Sequence, residues 1–245
     1  MIDSNELYKP AMNFKDVKMS SRQKEAHDMM FEIADLFFSA SQIPGFKVNG
    51  ILLHGKPQSG KTETVKQLCR SIAVKYPKTL VAFLDSAIIL HTELGVSEKL
   101  IESIFNPSRL SASRKIIFFD DIDCLFFGRE NMTSQTWHIS MSSVMFHCLD
   151  NIDPRSTFFI ATSNKKELLD FAMQSRLMQV ELKMPTKEEL ENDIKKLVNG
   201  FNKITKEQKE NVIVKVQHDI VENETGFRDI QYNIVKYIAG LKKNA

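Results

Sequence analysis

Apolar residues follow different spacings along different parts of the chain. Between residues 20 and 37 they recur every three or four positions, at Ala26, Met29, Met30, Ile33, Leu36 and Phe37, which is the spacing of one helical face. Ser20 and Gln23 form a capping-box pair that opens this helix. From residue 48 the pattern changes to short apolar runs at 48–54, 79–84, 115–119, 157–162 and 179–183. Such runs, separated by helix-length stretches, predict buried strands of a mainly parallel sheet covered by helices on both faces. After Pro185 the strands stop. Capping boxes at Thr186/Glu189 and Thr205/Gln208 open helices there. Leu190, Ile194, Leu197, Val198 and Phe201 form one apolar stripe, and Phe227, Ile230, Ile234, Tyr237, Ile238 and Leu241 another, which predicts a small helical lid. The expected organisation is a polar leader (1–13), a large α/β subdomain (14–185) and the lid (186–245).

Composition changes this picture little. The 245 residues are 42% apolar and 26% charged, ordinary for a soluble globular protein. The 33 basic against 31 acidic residues leave too small a surplus to favour nucleic acid or an anionic membrane. Cys69, Cys124 and Cys148 are odd in number, widely spaced and each adjoin a leucine, so they read as buried reduced thiols in a reducing, cytoplasmic setting. The six histidines have no zinc spacing, and no structural metal is expected. No apolar run approaches the ~20 residues that span a bilayer, so no membrane insertion is expected.

Residues Gly55-Lys56-Pro57-Gln58-Ser59-Gly60-Lys61-Thr62 match G-x-x-x-x-G-K-[ST] between a strand and a helix-compatible stretch at 63–73, the context a phosphate loop requires. Glycines let the backbone approach phosphate, and the following helix offers unpaired N–H groups with partial positive charge. Lys61 would supply a point charge to the β and γ phosphates and Thr62 a hydroxyl to Mg²⁺. The motif alone leaves the reaction open, because kinases, GTPases and motor ATPases share it.

The run Ile116-Ile117-Phe118-Phe119-Asp120-Asp121-Ile122-Asp123 is an apolar strand ending in acids, the form of a Walker B element. Asp120 would hold Mg²⁺, directly or through water, and Asp121 would stand where a base polarises the attacking water. Phe158 to Asn164 forms another apolar strand with a polar end. The amide of Asn164 can orient water and sense the γ-phosphate without adding charge.

In this order and spacing the elements resemble the AAA+ superfamily, and within it the AAA branch, from about Phe14 to Leu241. Asn13-Phe14-Lys15-Asp16-Val17 resembles the strip lining the adenine pocket, so Val17 joins the nucleotide-binding set. Gly95-Val96-Ser97-Glu98-Lys99 resembles G-E-S-E-K, Phe118 to Asp123 resembles F-F-D-E-I-D, and Cys148-Leu149-Asp150-Asn151 stands where the branch has the end of its L-x-x-L-D-G helix. The resemblance implies a P-loop NTPase fold with a five-stranded parallel sheet, the sensor strand lying between the Walker strands, and a helical lid. It further implies ATP and Mg²⁺ bound at subunit boundaries of a homo-oligomer, commonly a hexameric ring. Arg176 occupies the arginine-finger position, which reaches the neighbouring subunit's nucleotide, and Arg228 the sensor-2 position on the lid.

Two departures qualify what the resemblance implies. Asp121 replaces the family's Glu and is shorter by one methylene, which points to slow turnover. Thr92-Glu93-Leu94-Gly95 lacks the pore-loop aromatic of threading members, so substrate threading is not expected, and the leader is too short to fold as a substrate-recruiting domain, so an adaptor or a partner carrying the specificity is implied. Three readings follow: an oligomeric ATPase that remodels or assembles a protein complex, a slowly hydrolysing nucleotide-gated scaffold, and a loader-type ATPase on DNA, which the charge does not favour.

Overall fold

The computed structural model describes residues 4–39, 49–85, 89, 95–107, 114–126, 136–153, 155–222 and 227–243. Its elements are, in chain order, α1 (Ser4–Leu7), β1 (Tyr8–Pro10), α2 (Ser21–Ser39), β2 (Gly50–His54), α3 (Lys61–Lys75), β3 (Leu80–Asp85), α4 (Val96–Phe105), β4 (Lys115–Asp120), α5 (Thr136–Asp150), β5 (Thr157–Ser163), α6 (Phe171–Gln174), β6 (Met178–Glu181), α7 (Lys187–Asn199), α8 (Lys206–Glu222) and α9 (Phe227–Lys243). They fall into two compact units, Met1–Gly55 with Lys61–Leu182, and Lys56–Gly60 with Lys183–Ala245.

In the first unit the sheet order is β1-β3-β4-β5-β2-β6. The five expected strands pair in parallel, with β5 between β4 and β2. A sixth strand, β1, joins antiparallel to β3 with Tyr8 opposite Ala82. It comes from the stretch expected to be a polar leader. Tyr8 is buried, and its hydroxyl donates to the Ile104 carbonyl at 2.7 Å, so one aromatic side chain anchors an otherwise polar edge.

Side chains alternate across the sheet. Leu52, Ile117, Phe119, Phe159 and Ala161 pack with α4 and α5 on one face, while Ile51, Leu53, Ile116, Phe118, Phe158 and Ile160 pack with α2 and α3 on the other. Burial on both faces explains why the strands read as continuous apolar runs. A Cβ on Gly50 would lie 2.3 Å from the Phe159 carbonyl oxygen on the paired strand, so glycine is needed for the close approach of β2 to β5.

The α2 stripe is rotated from the expected one. Ala26, His27, Met30, Ala34, Phe37 and Phe38 are buried, whereas Met29 and Leu36 are exposed. His27 faces inward because its ring finds the Ser71 hydroxyl at 2.9 Å and stacks near Phe31. Ser20 and Gln23 cap α2 reciprocally, at 3.0 and 3.5 Å.

In the second unit the expected capping boxes of α7 and α8 are both formed. Leu190, Ile194 and Val198 pack against Val212, Val216, Ile230, Ile234 and Ile238. Phe201, placed by sequence on the buried stripe, is 38% exposed; it follows the end of α7, so the helical spacing no longer applies to it. Cys69 and Cys148 are buried and Cys124 is exposed, which corrects the expectation of three buried thiols; Cys124 ends a short 3-10 turn beyond β4. No helix among the described residues is long and apolar enough to cross a membrane.

Candidate nucleotide site

At the C-terminal ends of β4 and β5, side chains from the first unit meet the start of α3. Lys61 and Thr62 open that helix, where first-turn N–H groups lack intrahelical acceptors. The Lys61 ammonium is buried and donates to the Gly55 carbonyl at 2.9 Å and to Asn164 Oδ1 at 2.7 Å. Burial lowers its pKa, while Asp121, Asp123 and Asp120 oppose that shift. Thr62 Oγ1 donates to the Asp120 carboxylate, 2.9 Å from Oδ1 and 3.0 Å from Oδ2.

Asp121 follows the last residue of β4 with φ 51° and ψ 53°, a left-handed conformation that Asp tolerates better than most residues. Its carboxylate accepts a 2.7 Å hydrogen bond from Asn164 Nδ2. Asn164 thus spans Lys61 with its oxygen and Asp121 with its nitrogen. Its own backbone N–H donates to Asp123 Oδ1 at 3.2 Å. Burial, then the carboxylates of Asp120 and Asp123, raise the Asp121 pKa above the ordinary carboxylate value, which makes it a stronger base when ionised.

The structure therefore joins Lys61, Asn164 and Asp121 in one set of hydrogen bonds and Thr62 with Asp120 in another, and the Thr162 hydroxyl, which donates to Asp120 Oδ1 and accepts the Asp121 N–H, links the two. The intervening loop belongs to the second unit. There Gln58 and Gly60 have φ of 65° and 99°, Ser59 is buried, and Lys56 and Pro57 are exposed. Gln58 Oε1 accepts the Arg228 backbone N–H at 3.0 Å, so Arg228 meets the loop through its main chain. Arg176 lies outside the Lys61 network. Its guanidinium pairs with Asp150, donates to the Ala172 carbonyl and lies 4.9 Å from the centre of the Phe146 ring. Val17 is 42% exposed, and its N–H donates to Gln67 Oε1 at 3.3 Å. Thr92, Glu93 and Leu94 lie outside the described residues.

Gln67 and Thr162 were missed by sequence reasoning. Gln67 is buried, accepts from Val17 and donates to the Lys15 carbonyl at 2.8 Å, which holds the strip containing Val17. Nothing in its local pattern marks it. Thr162 carried a weak signal, a hydroxyl that ends the apolar run 158–161 two residues before Asn164.

The donor set fits a Mg–nucleotide. Thr62 and Asp120 offer the hard oxygen ligands that Mg²⁺ prefers, and a buried ammonium beside a helix N-terminus suits phosphate. A parallel sheet with a phosphate-loop helix and paired acids at its strand ends defines a P-loop NTPase.

Residues 51–186 match the family model "ATPase family associated with various cellular activities (AAA)". The chain belongs to this family. It is similar to a proteasome-associated ATPase of Rhodococcus erythropolis (strain PR4 / NBRC 100887), 26% identical over 214 residues, covering 78% of this chain and 36% of that protein. The chain spans about a third or less of the length of the curated relatives it matches. Among solved structures it shares its fold with a chain of the E. coli MS115-1 HORMA:CdnC:Trip13 complex (TM-score 0.63, 18% identity, 82% of this chain and 77% of that one) and with the FIGL-1 AAA domain (TM-score 0.60, 20% identity, 86% and 69%).

Proposed function

We propose that this chain binds Mg-ATP and hydrolyses it, and that it works as a homo-oligomeric, commonly hexameric, ring that remodels or assembles a protein complex. The observation carrying this reading is the double engagement of Asn164, whose amide touches the phosphate lysine and the acid Asp121 at 2.7 Å each. In this reading Lys61 and the loop 55–62 hold the phosphates, and Val17 lines the adenine pocket. Thr62 and Asp120 hold Mg²⁺, which when bound neutralises phosphate charge. Asp121 accepts a proton from the attacking water, and Asn164 orients that water. Arg176 acts on the neighbouring subunit's nucleotide, and Arg228 acts from the lid. Residues 14–185 serve as the nucleotide-binding subdomain and 186–245 as the lid. An adaptor, or a partner carrying the specificity, recruits the protein substrate, and a reducing, cytoplasmic setting suits the thiols.

The test is Mg-ATP hydrolysis per subunit across a wide range of protein concentration. A rate rising cooperatively with concentration is the expected result. A flat, measurable rate would remove the shared site and leave a self-contained ATPase. The short reach of Asp121 supports a second reading, a scaffold that holds ATP and turns it over slowly; tight ATP binding without hydrolysis would favour it. DNA-stimulated hydrolysis with steep salt dependence would instead favour a loader.

A further inference from the structure

We infer that Thr162 is a positioning residue for this site, one hydroxyl that sets which oxygen of Asp120 remains available to a divalent cation and holds the backbone of Asp121. The inference rests on the Mg-ATP reading given above.

Thr162 lies in β5 opposite Leu53 of β2 and is fully buried. A fully buried hydroxyl must find its hydrogen-bond partners within the protein. Its Oγ1 donates to Asp120 Oδ1 at 2.6 Å and accepts the Asp121 backbone N–H at 2.9 Å. The first bond has the short length of a hydroxyl on an ionised carboxylate. The second fixes the N–H of a residue in the left-handed region at φ 51°, where a non-glycine backbone needs support from its surroundings.

The two oxygens of Asp120 are consequently unequal. Thr62 Oγ1 lies within reach of both, at 2.9 and 3.0 Å, and does not distinguish them. Thr162 engages only Oδ1. Among the described residues Oδ1 therefore has two hydroxyl neighbours and Oδ2 one, which leaves Oδ2 the greater capacity to ligate a cation, directly or through water. Partners that hold a ligating carboxylate in this way orient it, and their loss typically costs ~10–100-fold in metal affinity or activity. Because the same hydroxyl holds the Asp121 amide, metal presentation and the placement of the proton acceptor are linked through one atom.

The test compares Thr162→Val, which keeps the shape and removes the hydroxyl, with Thr162→Ser, which keeps the hydroxyl. Mn²⁺ serves as a countable stand-in for Mg²⁺, and its binding in the presence of a non-hydrolysable ATP analogue is measured by loss of the free-ion paramagnetic signal. Analogue binding in EDTA and thermal melting of the nucleotide-free protein are measured alongside. The expected result for Thr162→Val is Mn²⁺ affinity weakened ~10-fold or more, with metal-free analogue affinity changed less than about twofold, and near-wild-type affinity for Thr162→Ser. Equal Mn²⁺ affinity in wild type and Thr162→Val overturns the role. So does a loss in Thr162→Val that tracks a lowered melting temperature and weakens metal-free binding to the same degree. If the wild-type chain takes up no Mn²⁺–analogue, the Mg-ATP reading itself falls and Thr162 falls with it, an outcome distinct from wild-type binding that the Val variant leaves unaltered.

Discussion

The guanidinium of Arg176 forms a two-pronged pair with the carboxylate of Asp150, Nε to Oδ1 and Nη2 to Oδ2, both at 2.8 Å. This fork-to-fork geometry is the most specific that Arg and a carboxylate can make. Asp150 ends α5, and Arg176 follows α6, so the pair ties two helix ends within one subunit. A side chain proposed to act on a neighbour is thus held at home by its own chain, which makes the exchange of partners measurable.

Arg176→Ala is expected to lower kcat about 10³-fold at saturating protein concentration while leaving ATP affinity within a few-fold, the pattern of a group that acts in the transition state. Asp150→Asn, which weakens the competing pair, is expected to lower the protein concentration giving half-maximal rate by about 1.4–5-fold, since partly exposed ion pairs contribute about 0.2–1 kcal/mol. Steady-state ATPase titrations check both. An Arg176→Ala enzyme with normal kcat would remove the trans role.

Asn164→Ala breaks the links to Lys61 and Asp121 together. The expected outcome is a fall in kcat of about 10²-fold with KM changed little, as for loss of one oriented donor. Equal losses in ATP binding and turnover would show instead that Asn164 only holds Lys61.

Asp121→Glu adds the methylene that restores longer reach toward water. Because ~1 Å of displacement can cost on the order of 10²-fold, hydrolysis is expected to rise by about tenfold or more in single-turnover measurements. An unchanged rate would mean that the short side chain is not what limits turnover.

His54 ends β2, is buried, and accepts from the Lys166 ammonium at 3.3 Å. Burial, followed by the charge of Lys166, lowers its pKa below the ordinary imidazole value. The unfolded chain, with an imidazole pKa of about 6.5, therefore binds this proton before the folded one does. Stability is fully retained above about pH 6.5 and is lost as pH falls from there through the folded-state pKa. His54→Gln is expected to flatten this acid limb in melting temperatures measured between about pH 7 and 5.

Gly50→Ala places a Cβ 2.3 Å from the Phe159 carbonyl and 2.9 Å from its Cβ. Both belong to a paired central strand that cannot withdraw, so a cost of about 1–3 kcal/mol is expected. That corresponds to a fall of roughly 2–12 °C in the melting temperature, at ~2–4 °C per kcal/mol for a domain of this size.

The strands and the capped helix starts were legible in the sequence because their signals are local. A buried parallel strand must be apolar on both faces, as 115–119 and 157–162 are. A phosphate loop needs Gly60, Lys61 and Thr62 in order, and a helix start is marked by Thr186 with Glu189 three residues on. The tertiary structure alone decided what depends on distant partners. Tyr8 turned a polar segment into an edge strand by reaching Ile104, and Gln67 came to hold the strip of Val17 across 50 residues of sequence. Thr162 lies 42 residues from Asp120, and its hydroxyl looks like any strand threonine until the parallel pairing of β4 and β5 sets the two side by side. Local patterns specify which elements form. A hydrogen bond between elements exists only once packing has fixed their register, and no local pattern encodes that register.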